Sequence, residues 1–223
     1  MGLGSHAGGG VTRRDLLAGG VSLAALLAFA RAVPAGAAEA GWRFTDVGIN
    51  LQGVPLPETI ERFGELAEAL GADLAAAEVV QARQEFEAAS EALRQAAAGK
   101  AGLDVLVAAP FAEGFYVTKP ADAWDLAYWQ RLGVNIVEPG GPDPYFELLS
   151  WEEADRYPAG LILVDARAQP DEYAQRPTWL SLPAVQAGQL GTWRTAAPTS
   201  YQEATAVLTE LAELVTESRT DVV

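Results

Sequence analysis

The sequence predicts an α/β fold with three layers, in which a mostly parallel sheet is flanked by helices. Short apolar runs, of which Leu161–Asp165 is the most hydrophobic, alternate with segments of helical periodicity. Strands separated by helices are typical of right-handed βαβ units, whose parallel sheets are covered on both faces. Hydrophobic residues make up 50% of the chain, which is enough for a substantial core.

Two helices are predicted near the start of this domain. Glu58–Leu70 carries apolar residues at three- and four-residue steps, and Gly71 follows as its stop. A longer helix is expected to begin at a cap on Asp73 and to end at Gly99. Further helical or turn-rich segments are predicted over Ala123–Leu132, Ser150–Tyr157, Pro177–Val185 and Tyr201–Glu217.

Strands are predicted where apolar runs are short and are bounded by glycine or proline. These runs are Leu103–Ala109, Val134–Val137, Leu161–Asp165 and Gln189–Trp193. Phe115–Val117 is expected to add an edge strand, and Ser218–Val223 to form a frayed tail.

Residues 1–37 predict a twin-arginine signal peptide. Arg13 and Arg14 precede an apolar run that ends near Ala30, and Ala35–Ala37 supplies the small residues that a signal peptidase needs. The apolar run is shorter than the ~20 residues that span a bilayer. We therefore expect export in the folded state, to the periplasm or the cell exterior, with residues 38–53 as a short linker or remnant.

The composition excludes several classes of function. The chain has no cysteine, and its one histidine, His6, lies in the predicted leader. Nucleophilic triads, the usual zinc and haem sites, disulfides and a lipid-modified cysteine are therefore excluded from the mature chain. The formal net charge of −15 repels nucleic acid and anionic membranes. We expect a protein that is not an enzyme, has no cofactor or metal site of its own, and does not bind nucleic acid.

Three segments carry a resemblance to a known family. Ser150–Glu153, Leu163–Arg167 and Thr178–Val185 occur in an order that resembles the C-terminal lobe of bacterial ABC-transporter substrate-binding proteins for iron–siderophore complexes, the helical-backbone periplasmic binding proteins. Pro57–Leu70 resembles the helix that connects the two lobes of that family. The resemblance implies a connecting helix over residues 54–71 and a C-terminal α/β lobe over 72–223. Only residues 38–53 stand in place of the N-terminal lobe, and they are too few to bury a core, so we expect a chain truncated to its C-lobe.

The resemblance implies the solute-binding component of an ABC importer, which takes a ferric siderophore or a related chelate to a membrane permease. Two alternatives remain open from the sequence. One is an exported interaction module that docks a permease or another partner without capturing a ligand, which a large exposed apolar patch would favour. The other is a non-functional remnant.

Candidate ligand contacts follow from the chemistry of the chelate. A siderophore wraps the iron itself, so the protein needs to supply aromatic faces and a cation. Such side chains are expected beyond the carboxyl ends of the parallel strands. The candidates are Tyr116, Tyr145, Phe146, Trp193, Arg194 and Tyr201, and Arg167 is a further one. Each of them also fits an ordinary role in the core, at a rim or in a surface ion pair.

Ser150 and Glu153 predict a capping box, in which both side chains satisfy backbone N–H groups at a helix start. Glu152 has no such explanation. By resemblance to a glutamate of the family's C-lobe, it is expected to dock onto the permease. A favourable interaction with the helix N-terminus is the alternative.

Overall fold

The computed structural model describes residues 54–194 and 200–223. The predicted signal peptide and the linker at 38–53 lie outside the described residues. The helices are α1 (Leu56–Ala69), α2 (Ala77–Gly99), α3 (Trp124–Arg131), α4 (Pro170–Tyr173), α5 (Pro177–Ser181), α6 (Pro183–Gln186) and α7 (Tyr201–Glu217). The strands are β1 (Asp104–Phe111), β2 (Gly114–Thr118), β3 (Asn135–Ile136), β4 (Phe146–Leu149), β5 (Leu161–Asp165) and β6 (Leu190–Trp193). Among these residues, no helix combines the length and the apolar character that a membrane crossing requires.

The strands form one mixed sheet in the order β4-β2-β1-β5-β6, and β3 pairs with the start of β1. β1 is parallel to β3 and β5, and β5 is parallel to β6. β2 runs antiparallel to both β1 and β4. The carboxyl ends of β1, β3, β5 and β6 therefore lie at the same edge of the sheet.

Alternation along the strands divides the apolar side chains between two cores. Val105 and Val107 of β1 belong to a core with Phe86 and Leu93 of α2 and Leu208 of α7. α1 and α3 contribute further side chains to the same layer. This layer is helical, as the period of the sequence predicts.

The opposite face of the sheet carries the second core. Leu106 of β1 and Phe115 of β2 pack there with Trp151 and Trp179. Short helices and turns cover this side. The two cores give the three-layer α/β fold with a mostly parallel sheet that the sequence predicts, and that prediction is confirmed.

Several predicted boundaries are confirmed because local chemistry determines them. Gly71 and Gly133, with φ of 96° and 97°, follow the ends of α1 and α3. Only glycine adopts this left-handed conformation without steric cost. The closing helix has the predicted bounds, Tyr201–Glu217.

Other local predictions were wrong. Asp73 does not cap α2, because its carboxylate accepts from the backbone of Ala75 (2.9 Å), and the helix begins only at Ala77. The predicted helix over 150–157 is a single 3₁₀ turn at Trp151–Glu153. The Phe115–Val117 strand is not an edge, because β4 pairs with its free side.

The C-terminal tail is not frayed. Lys100 Nζ donates to the carbonyl oxygen of Ser218 (2.7 Å). Gln189 exchanges two hydrogen bonds with the backbone of Arg219, at 3.1 and 2.7 Å. These contacts fix the chain beyond α7 against the amino ends of β1 and β6, away from the carboxyl edge of the sheet.

Candidate ligand-binding cleft

A cleft of about 400 Å³ lies at the carboxyl edge of the sheet. It reaches from the ends of β1, β5 and β6 across one face of β2 to the start of β4. The lining residues are Ala109, Phe111, Glu113, Tyr116, Thr118, Tyr145, Phe146, Asp165, Arg167 and Trp193. The position agrees with the rule that open α/β sheets bind ligands outside the carboxyl ends of their strands.

The floor of the cleft is a part of the sheet face that the helices leave uncovered. Phe115 and Val117 of β2 are buried in the core opposite the helical layer, so Tyr116 and Thr118 lie on the other face. Phe146 is the register partner of Thr118 and shares its face. The core of the helical layer takes side chains from β1, β3, β5 and β6 but, among the described residues, none from β2 or β4.

Three aromatic rings form a row across this floor. Phe111 and Tyr116 have ring centroids 5.7 Å apart at 70°, and Tyr116 and Phe146 are 5.1 Å apart at 67°. Edge-to-face pairs of this kind are favourable geometries for aromatic rings. The row presents a continuous, half-buried aromatic surface to a ligand in the cleft.

Tyr145 stands at the rim beside this row. Its backbone is fixed, because its carbonyl accepts from Lys119 N (2.8 Å) and its N–H donates to Asp143 Oδ1 (2.8 Å). The residue as a whole is 53% exposed. A fixed backbone with an exposed ring suits a contact that closes over one side of a ligand.

Arg167 provides the guanidinium of the cleft. Its Nη2 lies 2.6 Å from Oδ2 of Asp165, and its Nε donates to the same carboxylate. The hydrogen bonds that Arg167 donates to Asp165 raise the pKa of Arg167, so its positive charge is maintained. The side chain of Arg167 is 64% exposed, whereas that of Asp165 is 1% exposed. Nη1 donates no hydrogen bond to any of the described residues, so this nitrogen can donate to a ligand oxygen.

Trp193 forms the back wall. It is buried, and its indole Nε1–H donates to Oδ2 of Asp125 at 2.8 Å. Burial raises the pKa of Asp125 to about 6, although its hydrogen bonds act in the opposite direction. The indole ring therefore lies between the helical core and the cleft.

Glu113 makes the charge of the lining negative. It is exposed in the turn between β1 and β2, and the hydroxyl of Tyr116 donates to it at a long 3.4 Å. Desolvation raises the pKa of Tyr116, and the charge of Glu113 raises it further. The lining thus combines two carboxylates, Glu113 and Asp165, with the single guanidinium of Arg167.

Of the six main candidates, the structure brings four together in the cleft, Tyr116, Tyr145, Phe146 and Trp193, and it adds Arg167. Arg194 and Tyr201 do not line the cleft. The exposed Arg194 lies 3.8 Å from Glu210 of α7. Tyr201 packs on Phe86 and under the guanidinium of Arg83. Its ring centroid lies 5.4 Å from that of Phe86 and 5.3 Å from the guanidinium carbon of Arg83.

Phe111 and Glu113 were missed by the sequence reasoning, which ended the first strand at Ala109. The sequence does contain a signal for Phe111. The two-residue period of a strand places Phe111 on the same face as Ala109, so a strand two residues longer would have identified it.

The predicted docking residue lies outside the cleft lining. Glu152 is exposed in the 3₁₀ turn that follows β4. The capping box is confirmed, because the Ser150 side chain faces the backbone N–H of Glu153 and Glu153 Oε2 accepts from Ser150 N at 3.4 Å. Over 54–194 and 200–223, no group of three or more Asp, Glu, His or Cys residues is arranged to hold a metal ion.

The sequence matches the family described as periplasmic binding protein over residues 44–197. The chain belongs to this family. Among solved structures it is similar to DesE, a ferric-siderophore receptor protein from Streptomyces coelicolor, with 38% identity and a TM-score of 0.70. The match covers 74% of this chain and 58% of DesE.

Two further solved structures support the same fold. A siderophore periplasmic binding protein from the fuscachelin gene cluster of Thermobifida fusca is 25% identical, with a TM-score of 0.55 over 68% of this chain and 57% of that one. A binding component of a ferrichrome ABC transporter from Bacillus subtilis is 15% identical, with a TM-score of 0.53 over 71% and 63%. In a comparison with curated proteins, no sequence matches. The chain thus spans less than two thirds of these solved relatives.

Proposed function

We propose that this protein is a solute-binding component for the ABC import of ferric siderophores, and that the cleft at the carboxyl edge of its sheet contacts the chelate. The observation that carries the proposal is the aromatic row of Phe111, Tyr116 and Phe146, which lines the same cleft as the guanidinium of Arg167. The similarity to a ferric-siderophore receptor over 74% of the chain supports it.

The chemistry of the cleft suits a preformed chelate. A siderophore surrounds its iron with its own oxygen ligands, so the protein has to bind an organic surface and a few exposed oxygens. The aromatic row and Tyr145 offer apolar faces for the body of the chelate. The guanidinium of Arg167 offers a charged donor to its oxygens.

The cleft is open, and this limits affinity. Tyr145 is 53% exposed, and the side chain of Arg167 is 64% exposed. Ligand pockets usually enclose roughly 70–90% of a ligand's surface. A cleft that encloses about half of a chelate is expected to give dissociation constants on the order of 100 µM.

Equilibrium dialysis with radiolabelled iron tests the proposal. The probes are ferrioxamine B, a cationic ferric trihydroxamate, and ferri-bacillibactin, an anionic ferric tris-catecholate. We expect saturable binding of at least one probe by the 223-residue chain, and a loss of that binding in Tyr116→Ala. The matched control is Tyr201→Ala, because Tyr201 is also half-buried but does not line the cleft. The absence of saturable binding of both probes would overturn the proposal.

We propose that delivery to a permease uses the surface around Glu152, which is exposed outside the cleft.

One observation supports the rival function, a module that docks a permease without capturing a ligand. Tyr145 and Leu148 are large, more than half exposed and close together in the chain at the outer strand β4. The same dialysis separates the two functions, because the rival predicts that neither probe binds.

A further inference from the structure

A buried carboxylate lies directly behind the cleft. Asp125, in the first turn of α3, is only 3% exposed. Its Oδ2 accepts the indole Nε1–H of Trp193 at 2.8 Å, and its Oδ1 accepts the backbone N–H of Leu126 at 2.9 Å. Asp125 itself does not line the cleft, but Trp193 does.

A carboxylate at this core position carries a large desolvation penalty. None of the ion pairs within 54–194 and 200–223 includes Asp125, so no cation offsets the loss of its hydration. A buried charge without a cation is unfavourable, and an apolar side chain of similar volume is often more stable at such a site. A role in stability alone therefore explains the residue poorly.

The geometry calls for a carboxylate in particular. Both oxygens of Asp125 face N–H donors, and a carboxylate has two acceptor oxygens. An asparagine has only one, so its NH₂ group would face either Trp193 or Leu126. A hydrogen bond to a charged acceptor is also stronger than a neutral one.

Trp193 needs such an anchor because of its place in the sheet. It is the last residue of β6, and β6 pairs only with β5 in the part of the chain that the structure describes. Its backbone carbonyl accepts from Ala166 N (2.8 Å), which fixes the strand end but not the side-chain torsions. The Asp125 contact is the hydrogen bond that fixes the indole ring.

We propose that Asp125 is a positioning residue of the cleft, which holds the Trp193 indole in the orientation that forms the back wall. The inference about ligand affinity rests on the proposed function, whereas the inference about ring orientation does not. In the same way, the buried carboxylate of Asp165 holds the guanidinium of Arg167. Asp165 and Trp193 are also register partners across β5 and β6, so the two anchored groups are neighbours.

The first test uses the ligand-free protein. The chain has six tryptophans, so the difference between the near-ultraviolet circular dichroism of wild type and Trp193→Phe isolates the signal of Trp193. We expect Asp125→Leu to remain folded and to lose this difference signal, and Asp125→Asn to retain part of it. An unchanged signal in Asp125→Leu would overturn the proposal.

The second test measures binding of ferrioxamine B and ferri-bacillibactin by dialysis. We expect Asp125→Leu to weaken the binding of the probe that wild type binds by about tenfold, and to have little further effect when Trp193 is already phenylalanine. The control is Ser90→Ala, which removes the partly buried hydrogen bond of 2.9 Å that the Tyr128 hydroxyl donates to Ser90, away from the cleft. Equal effects of Asp125→Leu in both backgrounds would show that it does not act through Trp193.

A third measurement needs no variant of Asp125, in case Asp125→Leu does not fold. The Nε1–H resonance of Trp193, assigned by its absence in Trp193→Phe, is expected to exchange slowly with D₂O because the donor is buried and bonded. Fast exchange of this proton in the folded protein would overturn the proposal. If wild type binds neither probe, the proposed function fails, while the spectral and exchange results still decide the role of Asp125.

Discussion

Arg167 turns back onto Asp165, two residues earlier in the chain, and both Nε and Nη2 donate to its carboxylate. The pairing joins a carboxylate that is 1% exposed to a guanidinium that is 64% exposed. The buried partner restricts the rotamers of the arginine, and the exposed edge remains available to a ligand. A donor held in place in this way loses less conformational entropy on binding than a free side chain.

Arg167→Gln is expected to weaken the binding of the chelate by about tenfold or more, because a hydrogen bond to a charged group contributes about 1.5–3 kcal/mol. The matched control is Arg194→Gln, because Arg194 is similarly exposed but lies outside the cleft near Glu210. Dialysis with ferrioxamine B and ferri-bacillibactin measures both variants. If Arg194→Gln has the larger effect, the cleft has been assigned to the wrong side of β6.

Glu113→Gln is expected to improve the binding of ferri-bacillibactin relative to ferrioxamine B. The substitution removes one of the two carboxylates of the lining and leaves Arg167 in place. Coulomb interactions near a protein surface predict that the ratio of the two affinities changes by about two- to fivefold at low salt, and that added salt reduces this change. Glu152→Gln removes an exposed carboxylate outside the cleft and is expected to leave the ratio of the two affinities unchanged. A shift of the ratio towards the cationic chelate would contradict the prediction.

The contribution of Asp125 to the free energy of unfolding is expected to decrease as pH rises from about 4 to about 6. Burial raises the pKa of Asp125 from 3.8 to about 6, so over this range the folded state holds a proton that the unfolded state has released. The ionised carboxylate then costs about 3 kcal/mol relative to the protonated form. Urea unfolding of wild type and Asp125→Asn at several pH values measures the effect. Parallel pH profiles of the two proteins would show that the carboxyl has a normal pKa.

Glu153→Ala is expected to be more destabilising than Glu152→Ala. Glu153 contacts both Ser150 N and Ser150 Oγ and pairs with Arg156, whereas Glu152 is exposed. Loss of a cap costs about 0.5–2 kcal/mol, and a surface charge near a helix start about 0.3–1 kcal/mol. Thermal melting of the two variants makes the comparison. A larger loss in Glu152→Ala would mean that Glu152 is structural, and its proposed docking role would lose its support.

Export is expected to depend on the paired arginines of the predicted leader. The double variant Arg13→Lys, Arg14→Lys retains the charge but removes the twin-arginine pattern. Fractionation of a host that has both export routes measures the amount of exported protein, and Arg31→Lys serves as the control at the end of the apolar run. Undiminished export of the double variant would rule out the twin-arginine route.

The sequence by itself determined the order and type of most elements. Leu161–Asp165 is a strand and Tyr201–Glu217 a helix because hydrophobic period, capping residues and glycine stops act within a few neighbouring residues. The rule for carboxyl ends of parallel strands also predicted the edge of the sheet at which the cleft lies. These are consequences of local chain geometry, and the sequence shows them directly.

The tertiary structure alone decided which candidates meet. Phe146 lies outside every strand that the sequence predicts. It begins a strand because β2 offers an open edge, on which Phe146 pairs with Thr118, 28 residues earlier in the chain. Arg167 rather than Arg194 enters the cleft, because a buried aspartate two residues before Arg167 fixes its side chain there. The contact between Asp125 and Trp193 joins positions 68 residues apart. Such relationships depend on strand pairing and packing over long separations, which no local pattern in the sequence specifies.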